Sequence, residues 1–231
     1  MPPTRFLAPT VVLLAAFVSG CGSSDKSLVP TSPGRWWYYE TTSTVRGESS
    51  QQRLFVANLM QDGQRVVQRR QSGQSHLYTA TDAGLRHEGY VEGGDTAALK
   101  ESQALLLPAS PAKGQRWEFT SRLRVVESRT FAPEDRLARL PLALPMQAEI
   151  VGVDETVRVP AGRYEHCVRV DARGKLTVPV DHANSFVEVE AAQSEWFAPG
   201  VGLVRMERKE TSDSTFLQPG DYRQELVATG E

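Results

Sequence analysis

Hydrophobic and polar residues alternate with a period of two along much of this chain. The clearest case is the segment 115–127, QRWEFTSRLRVVE, where apolar residues share one face of the predicted strand and charged or hydroxyl side chains occupy the other. Its apolar face consists of Trp117, Phe119, Leu123 and Val125. This period is that of a β-strand with one buried and one solvated face.

Turn signals divide the chain into short strands. Dipeptides that end in glycine, such as Asp62-Gly63 and Ser72-Gly73, recur about ten residues apart in the first half. We therefore predict an all-β chain, with at most one short helix, of about eleven antiparallel strands. A glycine three residues before a tryptophan occurs twice, at Gly34 and at Gly114, and each is predicted to open one half of the sheet.

The segment 132–145, APEDRLARLPLALP, is the exception and predicts a helix of two turns at most. Pro133 suits the first helical turn, and Pro141 would end the helix. The apolar residues of the segment are Leu137, Leu140, Leu142 and Leu144. We interpret them as a cap over one end of the sheet, because large exposed apolar patches are uncommon. The alternative is a contact patch for a protein partner.

The N-terminus has the layout of a secretory signal peptide over residues 1–20, with Arg5, an apolar run and then small residues. The four residues 18–21, Val-Ser-Gly-Cys, resemble the bacterial lipobox, which implies that the mature chain begins at lipidated Cys21. Two or more acyl chains anchor a protein stably to a membrane. By resemblance to the known sorting pattern, Gly22 implies the outer membrane, facing the periplasm, in a Gram-negative cell.

The segment that follows the cysteine is rich in serine, proline and glycine and has no periodicity. Residues 21–34 are therefore predicted to form a lipidated, flexible tether that reaches up to about 40 Å from the bilayer. Residues 35–231 then form a single domain, a length that suits one all-β unit.

Charge and cysteine content exclude several function classes. The chain has 26 basic and 28 acidic residues, so neither nucleic acid nor an anionic lipid surface is favoured as a partner. The doublet Arg69-Arg70 is interpreted as part of a solvated strand face. With Cys21 lipidated, Cys167 has no disulfide partner within the chain and is interpreted as a small packing residue.

No motif for catalysis, metal binding or cofactor binding is found. The chain lacks a G-x-S-x-G elbow, an H-E-x-x-H pair and a phosphate-binding glycine loop. Its four histidines are scattered and are interpreted as strand or surface residues: His76, His87, His166 and His182. We therefore predict a non-catalytic protein without metal or cofactor, and a hydrolase is the least favoured function.

Two corner segments are the most distinctive features of the second half. In residues 157–170, VRVPAGRYEHCVRV, and 195–208, EWFAPGVGLVRMER, a strand enters a corner of proline and glycine and leaves as another apolar strand. Gly162, Gly200 and Gly202 are predicted to supply backbone angles that other residues resist.

Together with LLLPASPAKGQRWEF, these corners resemble a family of uncharacterised bacterial periplasmic proteins and lipoproteins. The resemblance implies a single strongly curved antiparallel sheet, similar to the half-barrel of the lipoprotein carrier and receptor proteins of the Lol system. Those proteins hold acyl chains on the concave face of the sheet. No active-site residue of the family is known to us, so the resemblance implies none here.

The leading hypothesis is an envelope lipoprotein that binds a lipid, an acyl chain or another apolar ligand on its concave face. Trp117, Phe119, Leu123 and Val125 are the candidate ligand face, and a filled core is the alternative role for them. The second hypothesis is a structural or assembly module that contacts an envelope protein through sheet edges or through the segment from Leu137 to Leu144.

Overall fold

The structure, a computed structural model, describes residues 27–45, 48–62, 65–70, 75–91, 104–123, 127–128, 143–179, 186–214 and 217–231. Within these ranges the chain forms fourteen strands and no helix. Those of the first half are β1 (Trp36–Val45), β2 (Glu48–Asp62), β3 (Arg65–Arg70), β4 (Ser75–Thr81), β5 (Gly84–Val91) and β6 (Ala104–Pro108). Those of the second half are β7 (Arg116–Arg122), β8 (Glu127–Ser128), β9 (Ala143–Val159), β10 (Gly162–Pro179), β11 (Phe186–Ala198), β12 (Gly202–Ser212), β13 (Leu217–Gln218) and β14 (Gly220–Gly230).

Twelve strands form one antiparallel sheet that curls until its two ends approach each other. The order across the sheet is β6-β5-β4-β3-β2-β1-β14-β12-β11-β10-β9-β7, and β8 pairs separately with β13. Cα atoms of the end strands β6 and β7 lie within 8 Å of each other. The all-β prediction is confirmed. The predicted single curved antiparallel sheet is confirmed as well: about eleven strands in a half-barrel is close to the twelve strands observed, which curl further into a nearly closed barrel.

The barrel consists of two meanders of six strands each. The first comprises β1 to β6, and the second comprises β7, β9, β10, β11, β12 and β14. One junction between the meanders is a continuous ladder of β1 and β14, from Trp36 opposite Gly230 to Val45 opposite Gly220. The equivalent junction, between β6 and β7, has no ladder among the described residues. We call this second junction the seam.

Each meander opens with the same turn. The amide N of Gly34 donates to the carbonyl of Asn58 at 2.8 Å, and that of Gly114 donates to the carbonyl of Ile150 at 2.7 Å. Both glycines have positive φ, +87° and +85°, which costs a glycine little. The prediction that each glycine opens one half of the sheet is therefore confirmed.

The predicted corner glycines also have positive φ. Gly162, at the β9–β10 turn, has φ +140°, and Gly200 and Gly202, at the β11–β12 turn, have φ +72° and +100°. The amide N of Val201 donates to the carbonyl of Ala198 at 3.1 Å. With proline and then Gly200 at its central positions, this is the pattern of a type II turn.

The end of the β9–β10 hairpin bends over the outer face of the barrel, and we call residues 155–167 the arm. Between Tyr164 and Val170 the register of β10 against β9 shifts three times, and His166 has φ +57°. Such bulges bend a strand sharply. The arm consequently reaches β14, where the amide N of Ala161 donates to the carbonyl of Leu226 at 2.9 Å.

The arm covers Trp196, whose side chain is only 8% exposed. The guanidinium groups of Arg169 and Arg205 lie 5.1 and 5.8 Å from the Trp196 ring, and its indole N–H donates to Glu155 at 2.8 Å. Cys167 is free and fully buried in the same cluster. Burial raises the pKa of its thiol to about 11, so this thiol is a packing group rather than a nucleophile.

Arg208 connects two strands that are not neighbours, β12 and β7, through the interior of the barrel. From β12 its guanidinium donates to Glu210 at 2.7 Å and to Gln193 at 2.8 Å. It also donates to the hydroxyl of Ser121 at 3.2 Å and to the carbonyl of Arg122 at 2.8 Å, both on β7. Strands β11, β10 and β9 separate β12 from β7 in the sheet. These contacts, the Arg208 network, therefore cross the barrel.

Residues 27–33, which we call the strap, pack across one end of the barrel. The side-chain amide of Asn58 donates to the carbonyls of Pro30 and Ser32 at 3.1 and 3.2 Å. The amide N of Gly200 donates to the carbonyl of Ser27 at 2.9 Å. The second half of the predicted tether therefore contacts the folded domain.

Several predicted features lie outside the described residues. They are the signal peptide, Cys21, the helix before Pro141, Val125, Leu137, Leu140 and Leu142. Among the residues that the structure describes, no helix is long and apolar enough to cross a membrane.

We expect Arg208→Met to lower the free energy of unfolding by about 3–5 kcal/mol, because it removes the cation from a buried ion pair with Glu210. Arg208→Met/Glu210→Met removes both charges and should be clearly more stable than the single variant. Urea denaturation monitored by tryptophan fluorescence measures both. Equal stability of the single variant and the wild-type protein would contradict the role given to this network.

Candidate functional site

A cavity of about 600 Å³ lies inside the barrel. Its wall contains side chains from both meanders and from both strands of the seam. Because side chains alternate between the two faces of a strand, every second residue can contribute to this wall. The volume falls within the range of roughly 300–1,000 Å³ that is typical of small-molecule sites.

The second meander contributes most of the apolar wall. Trp117, Phe119 and Leu123, three of the four predicted ligand-face residues, line the cavity. They also pack against the buried core, so the two roles proposed for them are not exclusive. Further apolar lining residues of this meander are Ala143, Val170, Ala172, Phe197, Leu203 and Met206.

The first meander contributes a wall rich in hydrogen-bonding side chains. They lie on β2 to β5 and are Asn58, Gln68, Arg70, His76, Tyr78 and His87. The interpretation of Arg70 as part of a solvated strand face is wrong, because its side chain lines the cavity. The interpretation of His76 and His87 as strand residues is correct, although both face the interior rather than solvent.

His76 and His87 form a pair on neighbouring strands. Nδ1 of His76 lies 3.0 Å from Nε2 of His87, and the ring centroid of Tyr78 is 5.1 Å from that of His87. Burial, and secondarily the positive charge of Arg70, lowers the pKa of His87 below 6.5. His87 is therefore neutral at pH 7, and one ring nitrogen of the pair donates to the other.

The Arg208 network and the strap bound the cavity at two ends. Ser121, Arg122 and Gln193, all partners of Arg208, line it at one end. Val29 and Pro30 of the strap line it together with residues of the β11–β12 turn. The two structures that connect distant strands thus also define the length of the cavity.

Two tryptophans occupy equivalent positions at the start of the meanders but differ in hydrogen bonding. The indole N–H of Trp37 donates to the carbonyl of Val201 at 2.6 Å. The buried indole N–H of Trp117 has no acceptor among the described residues. A buried donor of this kind costs stability until an acceptor reaches it.

Of the four leucines considered as a partner contact, Leu144 lies within the described residues. Leu144 is fully buried in the core beside Met146 and Ile150. It therefore belongs to the barrel interior, as the interpretation of a core cap suggested, and is not available to a partner in this structure.

Sequence reasoning missed the polar wall. Gln68 and Arg70, and likewise His76 and Tyr78, are two residues apart and so share a strand face, which was the available signal. The signal was overlooked because polar positions were assigned to the solvated face. Within the described residues, no group of three or more His, Cys, Asp or Glu side chains could hold a metal ion.

We expect the pH dependence of stability to depend on His87. Its pKa is lower in the folded than in the unfolded chain, so its contribution to stability is complete above about pH 6.5 and is lost as the pH falls through the folded-state pKa. His87→Gln should flatten the fall in melting temperature between about pH 8 and pH 5. The exposed Ala192 provides the control, since Ala192→Gln changes no titratable group and should retain the wild-type slope. If the melting temperature of His87→Gln fell with pH as steeply as that of the wild-type protein, the role given to His87 would be contradicted.

Three solved structures are similar to this chain at low sequence identity. A "putative exported protein with YmcC-like fold" from Bacteroides fragilis is 14% identical over 88% of this chain and 98% of that one, with a TM-score of 0.44. A "putative lipoprotein" from Parabacteroides distasonis is 12% identical over 88% and 98%, with a TM-score of 0.39. The hypothetical lipoprotein YmcC from Escherichia coli is 12% identical over 87% and 90%, with a TM-score of 0.34. No family model matches the chain, and no curated protein matches it.

Proposed function

We propose that this protein is a non-catalytic lipoprotein of the bacterial cell envelope whose barrel binds an apolar or amphipathic ligand, such as a lipid or an acyl chain. The observation that carries the proposal is the cavity of about 600 Å³ with its apolar wall. A structural or assembly module is less favoured, because the interior is not filled and Leu144 is buried.

An empty apolar cavity lowers the stability of a folded protein. Protein interiors are normally close-packed, and side chains around an empty apolar space lose dispersion contacts on one side. A methylene chain in the cavity would restore such contacts to lining side chains such as Phe119 and Phe197. Each methylene group taken from water into such a site contributes about 0.8 kcal/mol.

The N-terminus supports a membrane-proximal position for the domain. If Cys21 is lipidated, the six residues from there to Ser27 span at most about 20 Å. Since Ser27 is bound to Gly200 at one end of the barrel, that end would lie near the bilayer. Gly22 supports anchoring in the outer membrane.

Mass spectrometry tests the proposal on residues 23–231, produced without the anchor and purified without detergent. Native spectra should show one bound molecule, and denaturing spectra should identify it as a lipid or another apolar compound. A protein that carries no ligand and takes up no added lipid would contradict the proposal.

A pair of matched substitutions tests the position of the ligand. Ala172 lines the cavity, so Ala172→Phe should reduce the free space and displace the ligand, at a stability cost of about 1–3 kcal/mol. Ala192 is exposed on the neighbouring strand, and Ala192→Phe should leave the ligand bound. Equal occupancy in both variants would contradict binding inside the barrel.

A further inference from the structure

We propose that the ligand is an amphiphile whose anionic head group, a carboxylate or a phosphate, lies against Arg70, His76 and His87. This inference rests on the proposed function, because it names the chemical class of ligand for the same cavity.

The charged residues of the cavity wall are unevenly distributed. Among the described lining residues, the first meander contributes one charged side chain, Arg70, and no carboxylate. The second meander contributes Arg122 together with Glu195. The described lining residues thus carry two arginines and one glutamate, a net positive charge that favours an anionic ligand, and Arg70 is the charged group that such a ligand would meet on the first meander.

The side chains close to Arg70 are suited to an oxyanion. An arginine guanidinium presents planar paired donors that match a carboxylate or a phosphate. Arg70 is close enough to His87 to lower its pKa, and His87 in turn contacts His76 at 3.0 Å. The phenol of Tyr78, which packs on both imidazoles, adds a further donor.

The opposite wall is suited to an alkyl chain. Phe119, Val170, Phe197 and Leu203 lie on four strands of the second meander, across the interior from β3 and β4. An amphiphile with its head on the first meander would place its chain against these side chains. The polar wall of the cavity thus matches the head group of an amphiphile, and the apolar wall matches its alkyl chain.

The test uses the full chain with Cys21→Ser, made by cell-free synthesis without lipid or detergent. Three probes with the same chain are compared by displacement of a neutral fluorescent dye: hexadecanoic acid, hexadecyl phosphate and hexadecan-1-ol. At least one anionic probe should bind about tenfold or more tightly than the alcohol, because charge-assisted hydrogen bonds are worth that much. The acid and the phosphate distinguish the two head groups.

Two substitutions locate the head group. Arg70→Gln should bring the anions to within about twofold of the alcohol, and its alcohol binding shows that the variant is folded. Arg70→Lys retains the charge and should keep part of the preference. Arg53 is exposed on the adjacent strand β2, so Arg53→Gln should behave as the wild-type protein.

The outcomes separate the two proposals. If the alcohol binds as tightly as both anions, or if Arg70→Gln retains the full preference, the head-group inference is overturned while ligand binding stands. If none of the three probes binds, the proposed function itself is overturned.

Discussion

The Arg208 network holds β12 and β7 at a fixed distance across the interior of a barrel that is too wide for side chains to fill. About eight strands give an interior that side chains just occupy, whereas this sheet has twelve. A barrel with more strands leaves free space in its interior, and contacts that cross this space hold its strands in place. The buried Arg208, which pairs with Glu210 on its own strand, connects β12 to β7 across this space. Burying this pair has a desolvation cost that only its many hydrogen bonds offset.

The two-meander architecture explains why the cavity reaches the seam. Both meanders begin with an equivalent glycine turn and continue through six strands. At one junction, β14 is long enough to pair with all of β1. At the other, β6 has only five residues, Ala104–Pro108, and no ladder joins it to β7 among the described residues. Trp117 and Phe119 of β7 lie beside this open junction.

Much of the fold could be predicted from the sequence, because strand alternation and turn residues are local features of the chain. Period-two alternation predicted the cavity-facing side of β7, and the glycines of the corners have the positive φ expected of them. The extent of closure was missed because it depends on pairing between strands far apart in the chain. The strap was read as a tether because its contacts, such as Asn58 with Pro30, are equally distant in sequence. The polar wall was not predicted, because polar positions of a strand usually face solvent, whereas these face the cavity.

The central claim is that the space between the Arg208 network and the strap is a ligand site. A crystal structure of the domain with a fatty acid that carries bromine at the end of its chain tests this most directly. The account predicts continuous density inside the barrel, with the anomalous peak of bromine among Phe119, Val170 and Phe197. A barrel whose interior is closed by side chains, or a bromine peak only on the outer surface, would contradict it.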